Sequence, residues 1–170
     1  CKPGDIILTT GIHGLSKLGF LIQNKINFDN EFSLNERLII KSIEHFCRPR
    51  VYPNFLNNLL KTRSNKNIRR IGCTDSSDGL FQALQDLAIA SNCKAIINYE
   101  KIPKDKDWPK GDKWDEYYFF GGEDYELVFS LPKKWAENLS KLDKDINEIG
   151  FFTDGEPSIE FKDNKKNKLF

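Results

Sequence analysis

The stretch RIGCTDSSDGLFQAL, residues 70–84, passes from an apolar run into a helical pattern and carries Asp75 and Asp78 at the junction. Leu80, Leu84, Leu87 and Ala88 then fall on one helical face, with Phe81 beside them, over a helix expected at 78–90. The apolar segment CKAIINYEKIP (93–103) follows as a strand. This strand–turn–helix–strand unit sets the expectation of a layered α+β domain, with helices packed on a mixed β-sheet.

Working outward, DIILTT (5–10) is a short β-branched run and reads as a buried strand. Gly11 and Gly14 mark the turn after it, and Ser16 is a candidate cap for a helix carrying Leu18, Leu21 and Ile22. The glycines do not fit G-x-G-x-x-G, so a dinucleotide-binding fold is not indicated, and His13 reads as structural. A second helical pattern runs from Leu34 to Phe46 and stops at CRPRVYP, where Pro49 and Pro53 forbid continuation. Asn54 then offers a cap for a short helix. KDKDWPKGDKWDEYYFF (104–120) reads as a charged connection entering an aromatic segment. GGEDYELVFSLP is a glycine turn and a strand with alternating Tyr125, Leu127 and Phe129; KKWAENLSKL reads as a helix. INEIGFFTDGEPSIEF has a hairpin pattern with its turn at Asp154-Gly155, and NKKNK (164–168) reads as a solvated basic patch.

With 26 basic against 25 acidic residues the net charge is +1, which offers no electrostatic reason to expect nucleic acid or an anionic membrane as partner. No run of residues is long and apolar enough to span a bilayer. Cys1, Cys47, Cys73 and Cys93 form no C-x-x-C pair and are read as free thiols of a reducing cytosol. The chain opens at Cys1 with a strand beginning almost at once, which reads as a segment of a longer protein.

Two short acidic turns hold the chemistry. At Asp75, Ser77 and Asp78 two readings stand side by side. Asp78 suits a helix N-cap, where acid meets the helix dipole. Two carboxylates from one tight turn also suit a hard cation such as Mg²⁺, which takes oxygen ligands and fills its remaining positions with phosphate and water. The second turn, Gly121-Gly122-Glu123-Asp124, is by itself a hairpin with solvated acids; together, the two turns point to a shared polar site.

KPGDIILTTGIHG, CRPRVYP, TDSSDGL, GGEDYELVF and EIGFFTDGEPSIEF, in that order, resemble the C-terminal half of the thiamine-monophosphate kinase family, within the superfamily of aminoimidazole ribonucleotide synthetase. The resemblance implies that this is one C-terminal domain, 1–170, of a cytoplasmic kinase that uses ATP and Mg²⁺ to convert thiamine monophosphate to thiamine diphosphate. It implies Asp75 and Asp78 as metal ligands, Ser77 on the nucleotide phosphates, and Glu123, Phe120 and Phe170 on the substrate. It also implies a homodimer formed through an N-terminal half that carries further metal-binding aspartates, so these 170 residues alone are expected to be inactive. Another ATP-using synthetase of the superfamily and a non-catalytic phosphate- or metal-binding module are the competing readings. G-G-E-D-Y-E-L weighs against the first, and the intact Asp75, Ser77 and Asp78 against the second.

Overall fold

The computed structural model describes residues 1–25, 34–65, 67 and 70–162. The site candidate Phe170 and the basic patch 164–168 lie outside the described residues. Along the chain come β1 (Asp5–Thr10), α1 (Leu15–Gln23), α2 (Glu36–Cys47), α3 (Phe55–Thr62), β2 (Gly72–Asp75), α4 (Leu80–Ser91), β3 (Lys94–Ile97), α5 (Asp112–Phe120), β4 (Leu127–Pro132), α6 (Lys133–Leu142), β5 (Ile146–Thr153) and β6 (Ser158–Phe161). The strands form one six-stranded sheet in the order β2-β4-β1-β5-β3-β6. β3 and β6 run parallel and the other neighbours antiparallel, so the sheet is mixed, as expected from the sequence.

The helices cover both faces. Successive residues of β1 point to opposite sides: Ile7 joins one apolar cluster, with α1, α4 and α5, while Ile6 and Leu8 join another, with α3 and α6. β1 lies between β4 and β5 and is buried throughout, which accounts for the uninterrupted apolar and threonine run that follows Asp5. β4 is likewise an interior strand, and both Val128 and Phe129 are fully buried. The alternation read from Tyr125, Leu127 and Phe129 therefore fails, because a strand covered on both faces has no solvent side.

Two further expectations are corrected. β5 and β6 do not form a hairpin, since β3 lies between them and pairs with both. The four residues 154–157 cross over the end of β3 instead of closing a two-residue turn. The segment 104–120 is not a mere charged connection. Trp108, Trp114, Tyr118 and Phe119 enter the larger core cluster, and the buried Asp105 accepts from Lys41 of α2 at 2.7 Å and pairs with Arg37. A second bond from Arg37 to Asp107, 2.7 Å, completes the docking of this segment on α2. Docking in turn fixes α5, whose last residue is Phe120 and whose exit leads directly into the Gly121-Gly122 turn. Asn54 occupies the cap position of α3 without a side-chain bond, and Gly14, not Ser16, is the N-cap residue of α1. Among the described residues no helix is long and apolar enough to cross a membrane, and all four cysteines are free.

Candidate functional site

The two acidic turns meet because β2 and β4 are antiparallel neighbours, with Asp75 opposite Leu127. The end of β2 therefore lies beside the start of β4. The pairing continues past the strands: Ser76 N donates to Glu126 O at 2.9 Å, and Glu126 N donates to Ser76 Oγ at 3.1 Å. Glu123 N donates to Ser77 O at 2.8 Å. This closeness demands glycine at 122, where a Cβ would stand 2.3 Å from the Ser77 carbonyl oxygen. Gly79 is the N-cap residue of α4, with φ 97°, a conformation that side-chain-bearing residues avoid. Asp78 thus precedes the helix without capping it, and the helix start has no side-chain cap bond. The capping reading of Asp78 is set aside.

Asp75 and Asp78 are both exposed, with Ser77 half-buried between them and Ser76 fully buried. Asp75 Oδ1 accepts from Ser77 Oγ at 2.8 Å. In the second turn Glu123 and Tyr125 point outward and both hold left-handed backbones, φ 70° and 54°. Two non-glycine residues in that region cost about 1 kcal/mol or more each, so the surroundings must impose the conformation. The Tyr125 hydroxyl donates to Glu123 Oε2 at 2.8 Å. That bond, together with the charges of Glu123, Asp75 and Asp78, pushes its pKa up and so places the three carboxylates in one electrostatic neighbourhood.

Asp124 and Glu126, interleaved with them, are completely buried. Asp124 Oδ2 accepts from Gly14 N at 2.5 Å and Oδ1 from Ser16 N at 2.9 Å, closing the N-terminus of α1. Burial raises its pKa to about 6, against the two amides, which favour the charged form. Glu126 Oε2 accepts from Thr10 Oγ1 at 2.5 Å and from the Tyr52 hydroxyl at 2.6 Å, and its Oε1 lies 3.5 Å from His45 Nε2. Burial works to raise the Glu126 pKa, but the His45 ring and the two hydroxyls outweigh it, and the carboxyl sits below its ordinary value. Beneath this cluster His13 is fully buried, with Nε2 2.7 Å from Thr9 Oγ1, and burial lowers its pKa to about 4. His13 is therefore a neutral, structural residue at neutral pH. The expectation of solvated acids in this turn holds for Glu123 and fails for Asp124.

The turns enclose a cleft of about 530 Å³. Ser77, Asp78, Gly122 and Glu123 line its polar side; Phe120 stands beside them, and Ser16, Lys17 and Phe20 of α1 and Phe46 of α2 complete it. Of the residues singled out in the sequence, Ser77, Asp78, Glu123 and Phe120 thus share one cavity, and Asp75 lies next to it. Lys17, Phe20 and Phe46 were missed: Phe20 reads as an ordinary apolar helix position, and only the crossing of α1 and α2 brings it to Phe46, ring centroids 5.6 Å apart. Among the described residues no three His, Cys, Asp or Glu side chains are grouped to hold a metal. Two exposed carboxylates supply oxygen only, which fits a hard cation that draws its other ligands from phosphate and water.

Residues 2–162 match the family described as AIR synthase related protein, C-terminal domain. The chain belongs to that family. It is 35% identical over 154 residues to thiamine-monophosphate kinase of Prochlorococcus marinus, covering 91% of this chain and 46% of that protein. The chain spans about half the length of the curated relatives it matches. The fold is shared with the crystal structure of thiamine-monophosphate kinase from Stenotrophomonas maltophilia, with a TM-score of 0.72 at 22% identity over 95% of this chain and 51% of that one. A solved structure of AaThiL complexed with AMPPCP and TMP superposes with a TM-score of 0.70 at 26% identity, over 94% of this chain and 48% of that one.

Proposed function

We propose that this chain supplies one half of the active site of a kinase that transfers the γ-phosphoryl group of ATP to thiamine monophosphate, giving thiamine diphosphate. The observation that carries the reading is the convergence of two acidic turns, separated in the chain by α4, β3 and α5 but adjacent in the sheet, on one cleft through Ser77, Asp78, Phe120 and Glu123. The kinase relatives and the related complex with AMPPCP and TMP support it.

Asp75 and Asp78 would hold Mg²⁺, which when bound neutralises phosphate charge and aligns the transferring group. Ser77 faces the nucleotide phosphates, its hydroxyl oriented by Asp75. Glu123 and Phe120 contact the substrate from the opposite turn, and Phe170, outside the described residues, is assigned to the substrate as well. The strained Glu123 backbone, held by its hydrogen bond to Ser77 O, sets the distance between the two sides of the cleft. Such a site works mainly by positioning. The remaining metal ligands and the dimer contacts belong to the half of the relatives that this chain does not span, and the whole enzyme acts in the cytoplasm.

The test is Asp75→Asn and Asp78→Asn in the complete protein. Thiamine diphosphate formation is expected to fall on the order of 10²- to 10³-fold with folding unchanged; near-normal turnover in either variant overturns the assignment. Product formed by the 170 residues alone would overturn the two-half arrangement.

A further inference from the structure

The cleft is unevenly charged in a way that the acidic turns do not explain. Asp78 and Glu123 line it with negative charge, and among the described lining residues Lys17 is the cation that faces them. Lys17 takes part in none of the ion pairs found among the described residues. Its stem packs on the second acidic turn: a Cβ at Gly121 would stand 2.6 Å from Lys17 Cβ, so the absence of a side chain at 121 is what admits it. Its ammonium lies 5.7 Å from the centroid of the Phe20 ring, one helical turn further along α1. The lysine is thus directed into the cleft, at the junction of the polar turns and the aromatic wall of Phe20 and Phe46.

This arrangement suits a ligand with an anionic head and a flat ring. Aromatic faces accept a ring, the more readily a cationic one, by stacking and cation–π attraction. A phosphate entering beside Asp78 and Glu123 meets repulsion unless a fixed positive charge lies within reach. We propose that Lys17 is the specificity-determining contact for the phosphate of the acceptor, selecting the phosphorylated over the unphosphorylated form of the same ring system. The assignment rests on the kinase reading above. A nucleotide also combines a ring with phosphate, so the nucleotide is the competing source of the same chemistry.

The test is calorimetric binding to the complete protein, wild type against Lys17→Ala and Lys17→Arg, with three probes: thiamine monophosphate, thiamine and a non-hydrolysable ATP analogue. Lys17→Ala is expected to weaken thiamine monophosphate about tenfold to a hundredfold, the worth of one hydrogen bond to a charged group, while thiamine and the nucleotide are unaffected. Lys17→Arg should recover much of the loss. Unchanged thiamine monophosphate binding overturns the proposal. Equal weakening of thiamine reduces Lys17 to packing against the ring, and weakening of the nucleotide alone assigns it to the donor; both outcomes also overturn it. Wild-type protein that binds neither thiamine compound removes the kinase reading itself, a failure visible before any variant is made.

Discussion

The two acidic turns look alike in sequence and do opposite things in the fold. In residues 75–78 both aspartates are exposed, and the buried member is the neutral Ser76. In residues 123–126 exposure alternates, Glu123 and Tyr125 outward and Asp124 and Glu126 fully buried. The reason is position in the sheet. β2 is an edge strand, so its exit opens to solvent; β4 lies between β2 and β1, so residues entering it have covered sides. The buried pair meets donors that the neighbouring elements hold fixed, the amides of Gly14 and Ser16 for both oxygens of Asp124 and the hydroxyls of Thr10 and Tyr52 for Glu126 Oε2, while Glu126 Oε1 faces His45 Nε2 at 3.5 Å. An acid with fixed donors is an anchor; an acid left exposed in a cleft keeps its oxygens open to solvent. The anchors also hold the left-handed backbones of Glu123 and Tyr125, and so aim Glu123 at the first turn.

The contrast breaks most visibly in stability. Glu126→Ala should cost about 3 kcal/mol or more in denaturant unfolding, because it orphans the buried Thr10 hydroxyl, the half-buried Tyr52 hydroxyl and the His45 contact. Asp75→Asn, in contrast, should stay within about 0.5 kcal/mol of wild type. Equal costs at the two positions would abolish the distinction. A second check uses pH. The folded chain holds His13 neutral down to about 4, whereas an unfolded histidine protonates near its ordinary 6.5. The contribution of His13 is therefore complete above pH 6.5 and is lost as pH falls toward 4, a change of up to about 3 kcal/mol. Measured as wild type minus His13→Gln, so that Asp124 cancels, the difference should shrink through that window; a flat difference would contradict the buried, neutral ring.

Smaller effects sharpen the geometry. Gly122→Ala forces a methyl group against the Ser77 carbonyl and should cost about 2 kcal/mol while moving Glu123 away from Asp78. The smallest expected change is the most diagnostic for the first turn. Asp78→Ala should cost less than about 0.5 kcal/mol, because Gly79 occupies the cap position; an N-cap role would cost about 1 kcal/mol. Thermal melts of the two proteins separate these values.

Much of the architecture was readable residue by residue. The apolar run at 5–10, the helical spacing after Asp78 and the strand at 94–97 are local patterns, and local patterns survive folding. Asp75, Ser77, Asp78 and Glu123 could be singled out for the same reason, since a turn with glycine and acid is visible in a few adjacent letters, whereas Phe120 was marked only by the family resemblance. Lys17, Phe20 and Phe46 carried no such mark. A lysine and two phenylalanines on helices are ordinary until α1 and α2 cross beside the turns.

What chain order could not disclose are relations between distant segments. β3 pairs between β5 and β6 although nothing in INEIGFFTDGEPSIEF indicates a strand passing through it. Asp105 and Asp107 read only as part of a charged connection because their partners, Arg37 and Lys41, lie more than sixty residues away. Asp124 and Glu126 could be told from Glu123 only once β4 had a neighbour on each side. Periodicity and turn chemistry act over a few residues and are written in the sequence. Burial and partner choice depend on which surfaces meet, and that is settled only when the sheet closes its order.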